Sequence, residues 1–585
     1  MNKTRLLFLS IVMLAVFSIA FGLRAYSATP EPFGDPRAVR GGQLTVNTSE
    51  FPKSFNYYVN NSFDAYEVFS FVYDTLLERN PTTLEYSPLL AKSWSVSADK
   101  KEFTFTLDPK ARWADGKPVT TADVQFTYDT IMNPKNLTSV QRMAMVRFKE
   151  PQVVDKSTIK FTAKTVHFKN METLAGLNIL PKHLFTGKDF NKAFNMSLPV
   201  GSGPYTLSEV QEGRYYTLKR NQSYWANNFP QHRGMYNFDR IKIRVIADTA
   251  AFEAFKKGDF DIYQGISAKD WVTRTDAKQF KNHWIIKQKV FNYAPQGFQG
   301  LAFNQRLPIF QDRRVRLAIC HLIDRKTILE KITFNQYQPL TSYFPSLYGS
   351  APSNPIIGYD PAKAKQLLKE AGYTRLGKDG YLINQKGQRL EFTVSYTADS
   401  LEKHLTIIKE NCRQAGVKVN LELLSWPTLL KKTDEFKFET ALFAWGAVLF
   451  EDPEQLWHSK HASEPGSSNL TGYKNPEVDR LIDSLPPIFD VSKRNEIIKK
   501  IDAIIYQDVP YALFWGANYN RVLYKNIFGM PRTVFSKYGG GLSDIITFWW
   551  IDPAKEKRYQ EAVRRNRVLP GVPEEIYYDR IAGKK

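Results

Sequence analysis

The sequence predicts a mixed α/β architecture spread over two or three lobes, and three observations carry that expectation. At 585 residues the chain exceeds one ordinary domain. Strand-like and helix-like segments alternate irregularly, with no repeat at solenoid periods and no long low-complexity tract. Hydrophobic residues make up 43% and aromatic residues 14%, enough to fill sizeable cores and to exclude a disordered chain. The 40 Phe, 30 Tyr and 11 Trp are read chiefly as fillers of β-rich cores, ahead of an aromatic-lined site.

At the N-terminus, Lys3 and Arg5 precede an apolar run from Leu6 to Leu23, and Ala25-Tyr26-Ser27 offers small residues before Ala28. Residues 1–27 are expected to be a cleaved secretory signal, with a retained single-span anchor as the alternative. Gly42-Gln43-Leu44-Thr45-Val46 reads as an opening strand, followed by a polar loop from Glu50 to Ser62. From about Asp64 to Glu78, Val68, Phe71, Val72, Thr75 and Leu76 share one helical face. Glu102 to Leu107 alternates, placing Phe103, Phe105 and Leu107 on one side of a strand. Asp115-Gly116-Lys117-Pro118 is a turn, since glycine tolerates a positive φ and proline presets the next one. Thr120, Thr121 or Asp123 then caps a helix.

Further along, Pro199 to Tyr205 is a tight turn into a strand, Ile241 to Ile246 alternates, and Ala250 to Gly258 is a short helix. A second unit opens at Gly300 to Asn304, and Pro361 and Gly372 bound a helix. Phe443 to Pro453 is an apolar strand running into a loop, a usual place for ligand contacts. Pro553 to Arg567 is a basic helix, followed by a Pro-containing tail; the extension is expected to pack on the first lobe or fray, with docking to an anionic membrane or the transporter as the alternative.

The net charge of +21 is read as a solvated basic exterior, because the cations are scattered and no nucleic-acid motif gathers them. Cys320 and Cys412 each sit in a helical pattern without metal spacing; two buried thiols are expected, with a single disulfide left open. Catalysis finds no support: no G-x-S-x-G elbow, no H-E-x-x-H and no phosphate-cradling loop occurs. His458 and His461 have a spacing that can bind metal, yet Lys460 between them opposes a cation, and no metal site or cofactor is expected. Asp312 with Arg313, Arg314 and Arg316 is read as a helix start with its surface pairs.

Several stretches occur in a specific order: AKSWSVSADKKEFTFTLDPKARWADGKPVTTADV, PVGSGPY, GDFDI, LAFN, FQDRRVRLAI and YDPAKAKQLLKEAGY. From about residue 40 to 550 the chain thereby resembles the family 5 extracytoplasmic solute-binding proteins of ABC importers. YWANNFPQHRGMYNFD, AFEAFKKGDFDI and FWWID are similar to its YejA-like branch. The resemblance implies a two-lobed periplasmic-binding-protein fold (type II, cluster C) with an extra inserted subdomain. Lobe I would comprise 40–80, 196–290 and 531–552, the inserted subdomain 81–195, lobe III 291–530, and a basic extension 553–585. Crossing segments near 288–294 and 525–532 would form the hinge.

By the same resemblance, lobe III would hold an extended peptide through Ala444, Trp445, Gly446, Ala447 and Val448, opposite Asn60, Asn61 and Ser62 of lobe I. Trp445 either stacks on a ligand or fills the core. Oligopeptide receptors of the family place an Asp three residues after this Trp to meet the ligand's α-amino group. Here that position is Val448, and Glu451 and Asp452 lie beyond as candidates. The implied protein is a periplasmic, monomeric, non-enzymatic receptor that serves an inner-membrane ABC permease with its ATPase and binds no nucleic acid. The alternatives are a receptor for a modified peptide or a non-peptide solute such as a murein fragment, sugar or chelate, an anchored sensory protein, or a hydrolase.

Overall fold

The computed structural model describes residues 31–349 and 353–583, so the expected signal at 1–27 lies outside the described residues. Lobe I is built on a four-stranded sheet in the order Gln43–Thr48, Arg240–Val245, Tyr215–Arg220, Tyr205–Gln211. Only its first pair is parallel. The period-2 alternation sends Leu44, Val46, Ile241, Ile243, Tyr216 and Leu218 into one core and polar residues to the opposite face.

Helix Phe63–Val72 starts at Ser62, whose Oγ accepts from Ala65 N, and it ends six residues before the expected Glu78. The cause is the turn at Gly201-Ser202-Gly203-Pro204. A Cβ on Gly201 would lie 1.8 Å from the Val72 carbonyl oxygen, so only glycine lets this turn abut the helix end. Asp74 N donates to Ser202 Oγ at 2.9 Å, and the chain leaves in an extended course to pair Leu77–Arg79 with Tyr86–Pro88.

The inserted subdomain holds a second four-stranded sheet: Ala91–Val96, Glu102–Leu107, Thr158–Thr162, Gln152–Val153. Helix Thr121–Met132 packs beside it. Asp123 Oδ2 accepts from Thr120 N at 2.9 Å, while Oδ1 accepts from Lys182 N at 2.9 Å, so one carboxylate caps the helix and ties down a distant loop. Phe103, Phe105, Trp113, Phe148 and Phe161 belong to the same continuous core as Leu44 and Tyr216. The insertion and lobe I therefore share one hydrophobic interior.

Lobe III is a five-stranded sheet in the order Lys418–Leu423, Glu391–Tyr396, Thr440–Trp445, Phe298–Phe303, Tyr511–Leu513. One face carries Leu301, Phe303, Phe392 and Val394 against Ile319, Leu368 and Ile408; the other carries Phe298, Ala441 and Phe443 against Trp457, Ile498 and Ile501. Cys320 and Cys412 are both buried free thiols in the first of these layers.

A third four-stranded sheet draws strands from both sides of the boundary expected near residue 291. Its order is Ile262–Tyr263, Asn520–Lys525, Ile285–Phe291, Glu575–Tyr577. Asn520–Lys525, expected in lobe III, pairs antiparallel with two strands of lobe I. Trp515–Gly516 still pairs with Gln338–Pro339, so the chain passes from one sheet to the other at 517–519, upstream of the 525–532 expected as a crossing. The basic extension packs on lobe I. Helix Pro553–Arg565 is capped by Asp552, Arg567 O accepts from Trp284 Nε1 at 2.8 Å, and Glu575–Tyr577 runs parallel to Lys289–Phe291 as a new edge strand.

Candidate functional site

Strand Thr440–Trp445 lies in the middle of the lobe III sheet, and its C-terminal end meets the crossing stretches, with Trp445 opposite Phe298. A Cβ on Gly297 would be 1.8 Å from the Trp445 carbonyl oxygen, so the stretch 292–297, which links Ile285–Phe291 to Phe298–Phe303, passes directly against the strand end. Trp445 Nε1 donates to Tyr511 Oη at 3.0 Å, and its ring lies 5.1 Å from that of Phe443. The half-buried indole thus packs on the lobe core. Its other side borders a cavity of about 310 Å³ that Ala444, Asn292, Gln296, Trp515, Asn518 and Tyr519 also line. One edge of Trp445 therefore fills the core, as the second of its two expected roles required, and the other faces open space.

Beyond the strand, Ala444 and Gly446 are exposed and Ala447 is half-buried. Val448 is 49% exposed, an apolar side chain facing solvent. Burial pushes the Glu451 carboxyl up to about 7, against the pull of Lys169 and the Val448 backbone amide. Asp452 faces the inserted subdomain: its Oδ2 is 3.8 Å from His167 Nε2, and its Oδ1 accepts from Glu454 N at 3.3 Å.

Asn60, Asn61 and Ser62 sit on lobe I at the start of helix Phe63–Val72. Asn60 Nδ2 donates to Ser54 O at 2.9 Å and Ser62 Oγ at 3.1 Å, so these side chains shape their own loop, while Asn61 is exposed. No hydrogen bond among the described residues joins this loop to Ala444–Asp452. Exposed aromatics flank it. Phe63 is 69% exposed, and Tyr66 packs edge-on against Tyr57 at 5.0 Å. Asn292, Gln296, Tyr511 and Asn518 were not foreseen, because they reach Trp445 only through the sheet order.

His167, Asp452 and Glu454 bring three donor atoms within 4.8 Å of one another. Burial, with Arg147 next, lowers His167 to about 4, so the ring is neutral. Yet Arg147 lies close enough to act on both carboxylates, and Lys460 already pairs with Glu454. The positive charge a cation would bring is present in Arg147 and Lys460, and His167 adds a neutral ring 3.8 Å from Asp452. His458 and His461 turn to different acids, Asp479 and Asp483 for the first and Glu464 for the second. No helix among the described residues is long and apolar enough to cross a membrane.

A family model for bacterial extracellular solute-binding proteins, family 5 Middle, matches residues 85–467. The chain belongs to this family. Within family 5 it is YejA-like. YejA of Agrobacterium fabrum, a probable peptide-binding protein, is 27% identical over 571 residues, covering 88% of this chain and 90% of that one. Among solved structures, the oligopeptide-binding protein AppA from Bacillus subtilis, in complex with a nonapeptide, matches with a TM-score of 0.73 at 22% identity, over 88% of this chain and 100% of the other. NikA from Brucella suis, in complex with Fe(III)-EDTA, gives 0.70 at 20% identity, over 86% and 98%. At these identities the likeness is one of fold, and that fold is the two-lobed family 5 architecture.

Proposed function

We propose that this family 5 protein captures oligopeptides or peptide-like solutes outside the cytoplasm and hands them to an ABC import permease with its ATPase. The supporting observation is the strand end at Trp445, which opens beside the crossing stretches onto a cavity of about 310 Å³. An extended peptide laid along Ala444–Val448 extends the sheet through main-chain bonds, leaving its side chains to roomy pockets. Rotation about 292–297 and 517–519 brings lobe I over it and removes it from water. Chemistry is not required of the site: it binds, and the enclosed form is what a permease reads. The protein is exported by its N-terminal segment, works in the periplasm as a monomer, and is not an enzyme.

Val448 favours a second reading. Without the acid that meets an α-amino group, the ligand is a peptide with a modified N-terminus or a non-peptide solute. Glu451, the next acid along the chain, has its carboxyl pushed up to about 7 by burial, and an amine beside it would draw off its proton. Native mass spectrometry of the purified protein tests both readings. Co-purified peptides are expected. Their absence, together with no thermal shift from a peptide pool, overturns the peptide reading.

A further inference from the structure

We infer that His167 and Phe168, at the tip of the inserted subdomain, are positioning residues that clamp the ligand-contacting loop of lobe III and so set how long a bound solute stays. The inference rests on the solute-binding reading above and adds a second joint between the lobes, away from the crossing stretches.

The tip is built before it meets lobe III. Lys169 N donates to His167 Nδ1 at 3.1 Å, Asn170 N donates to His167 O at 3.0 Å, and Asn170 Nδ2 donates to Thr165 O at 2.9 Å. This pins the turn from 165 to 170, stacks His167 on Phe168 at 4.8 Å, and offers both rings outward together. A preorganised contact loses little entropy when it forms.

On lobe III the tip lands on three elements. Phe168 N donates to Pro486 O at 2.9 Å. The Arg494 guanidinium lies 4.1 Å from the Phe168 ring centre and is itself fixed by donation to Ile488 O at 2.8 Å. Phe168 also packs on the core layer that contains Trp457 and Ile498. His167 meets Asp452 at 3.8 Å, with Arg147 acting on the same carboxylate. A further cation–π contact, Arg79 over Phe450 at 4.9 Å, ties the same loop to lobe I.

The placement along the chain gives these contacts their role. The loop from Gly446 to Pro453 is held at one end by Trp445 on Tyr511 and at the other by Trp457, buried in the core. Phe450 and Asp452, in its middle, are held by lobe I and the insertion. Any rotation about 292–297 and 517–519 that draws Asp452 from His167 must also lift Phe168 off Arg494 and Arg79 off Phe450. Opening is therefore opposed as a unit, and the loop it frees is the one proposed to carry the ligand.

Two measurements on the full chain test this. Small-angle X-ray scattering of ligand-free protein should show a larger radius of gyration for Phe168→Ala than for the parent. A stopped-flow chase of a fluorescein-labelled nonapeptide should show release about tenfold faster, since removing the cation–π and apolar contacts weakens the clamped state. Phe168→Leu keeps apolar bulk and guards against misfolding; its release rate should fall between the two. Release unchanged in both variants, or scattering identical to the parent's, overturns the inference. If the parent fails to bind the nonapeptide, the peptide reading falls, and the scattering comparison still decides the clamp.

Discussion

The indole N–H of Trp445 and the hydroxyl of Tyr511 meet at 3.0 Å, joining the strand proposed to carry the ligand to the edge strand of its own sheet. Tyr511 is 3% exposed, so its oxygen has little water to turn to. Trp445→Phe keeps an aromatic ring but orphans that hydroxyl, and chemical denaturation should show a loss of about 1 kcal/mol. Trp445→Ala should in addition weaken ligand affinity. Unchanged affinity by calorimetry would remove Trp445 from the site.

Gly297→Ala should weaken binding more than its size suggests. Its Cβ would stand 1.8 Å from the Trp445 carbonyl oxygen, so the crossing stretch or the strand end must move. Gly201→Ala makes the same clash with Val72 far from the site. It should cost stability, roughly 3 kcal/mol, while leaving affinity untouched in whatever folds.

Stability should fall as pH rises toward neutrality, and Asp74 is one cause. Burial lifts its carboxyl to about 7, opposed by Trp225, His232 and Tyr224. Trp225 Nε1 donates to it at 2.8 Å and Tyr224 Oη at 3.1 Å. Because the folded value lies above the ordinary 3.8, the fold holds a proton that the unfolded chain releases, and stability drains between about 4 and 7. Asp74→Asn should flatten the pH dependence of the unfolding free energy over that window. An unchanged slope would show that burial does not act on Asp74 in this way.

The two thiols should be inert until the chain unfolds. Burial pushes Cys320 up to about 11 and Cys412 up to about 12, and both are free. A thiol reagent should label neither in the native protein and both in denaturant, and reductant should leave the melting temperature unchanged.

Removing residues 567–585 should lower the melting temperature and promote association. It strips Glu575–Tyr577 from Ile285–Phe291, leaves Trp284 Nε1 without its Arg567 partner, and uncovers an edge strand. Size-exclusion chromatography beside calorimetry reads both effects.

What the chain's letters reveal follows from how local each cause is. The strand at Glu102–Leu107 was legible because alternation is a local property, and its expected bounds match. The helix from Phe63 stops at Val72 despite a continuing apolar pattern, because the glycines that stop it stand at 201 and 203. The phrase from Tyr224 to Asp239 marked a branch without revealing why. In the fold, Tyr224 and Trp225 hold Asp74, while His232 Nε2 meets Glu78 Oε2 at 2.9 Å, so the phrase is a buried clasp on the stretch after that helix. At the candidate site, the strand ending at Trp445 and the loop after it could be read from the letters. Asn292, Tyr511 and Asn518 could not, since only the order of strands in space makes them neighbours of Trp445.

The core of lobe I draws on Leu44 and Val46 near one end of the chain and on Trp549, Ile551 and Ile576 near the other. Lobe III, by contrast, is continuous from Phe298 to Trp515. During synthesis lobe III therefore has all its parts first, whereas lobe I stays open, its apolar strands unsatisfied, until Trp549 to Ile576 have been made. A chain made in this order completes the core of its opening half after that of its middle.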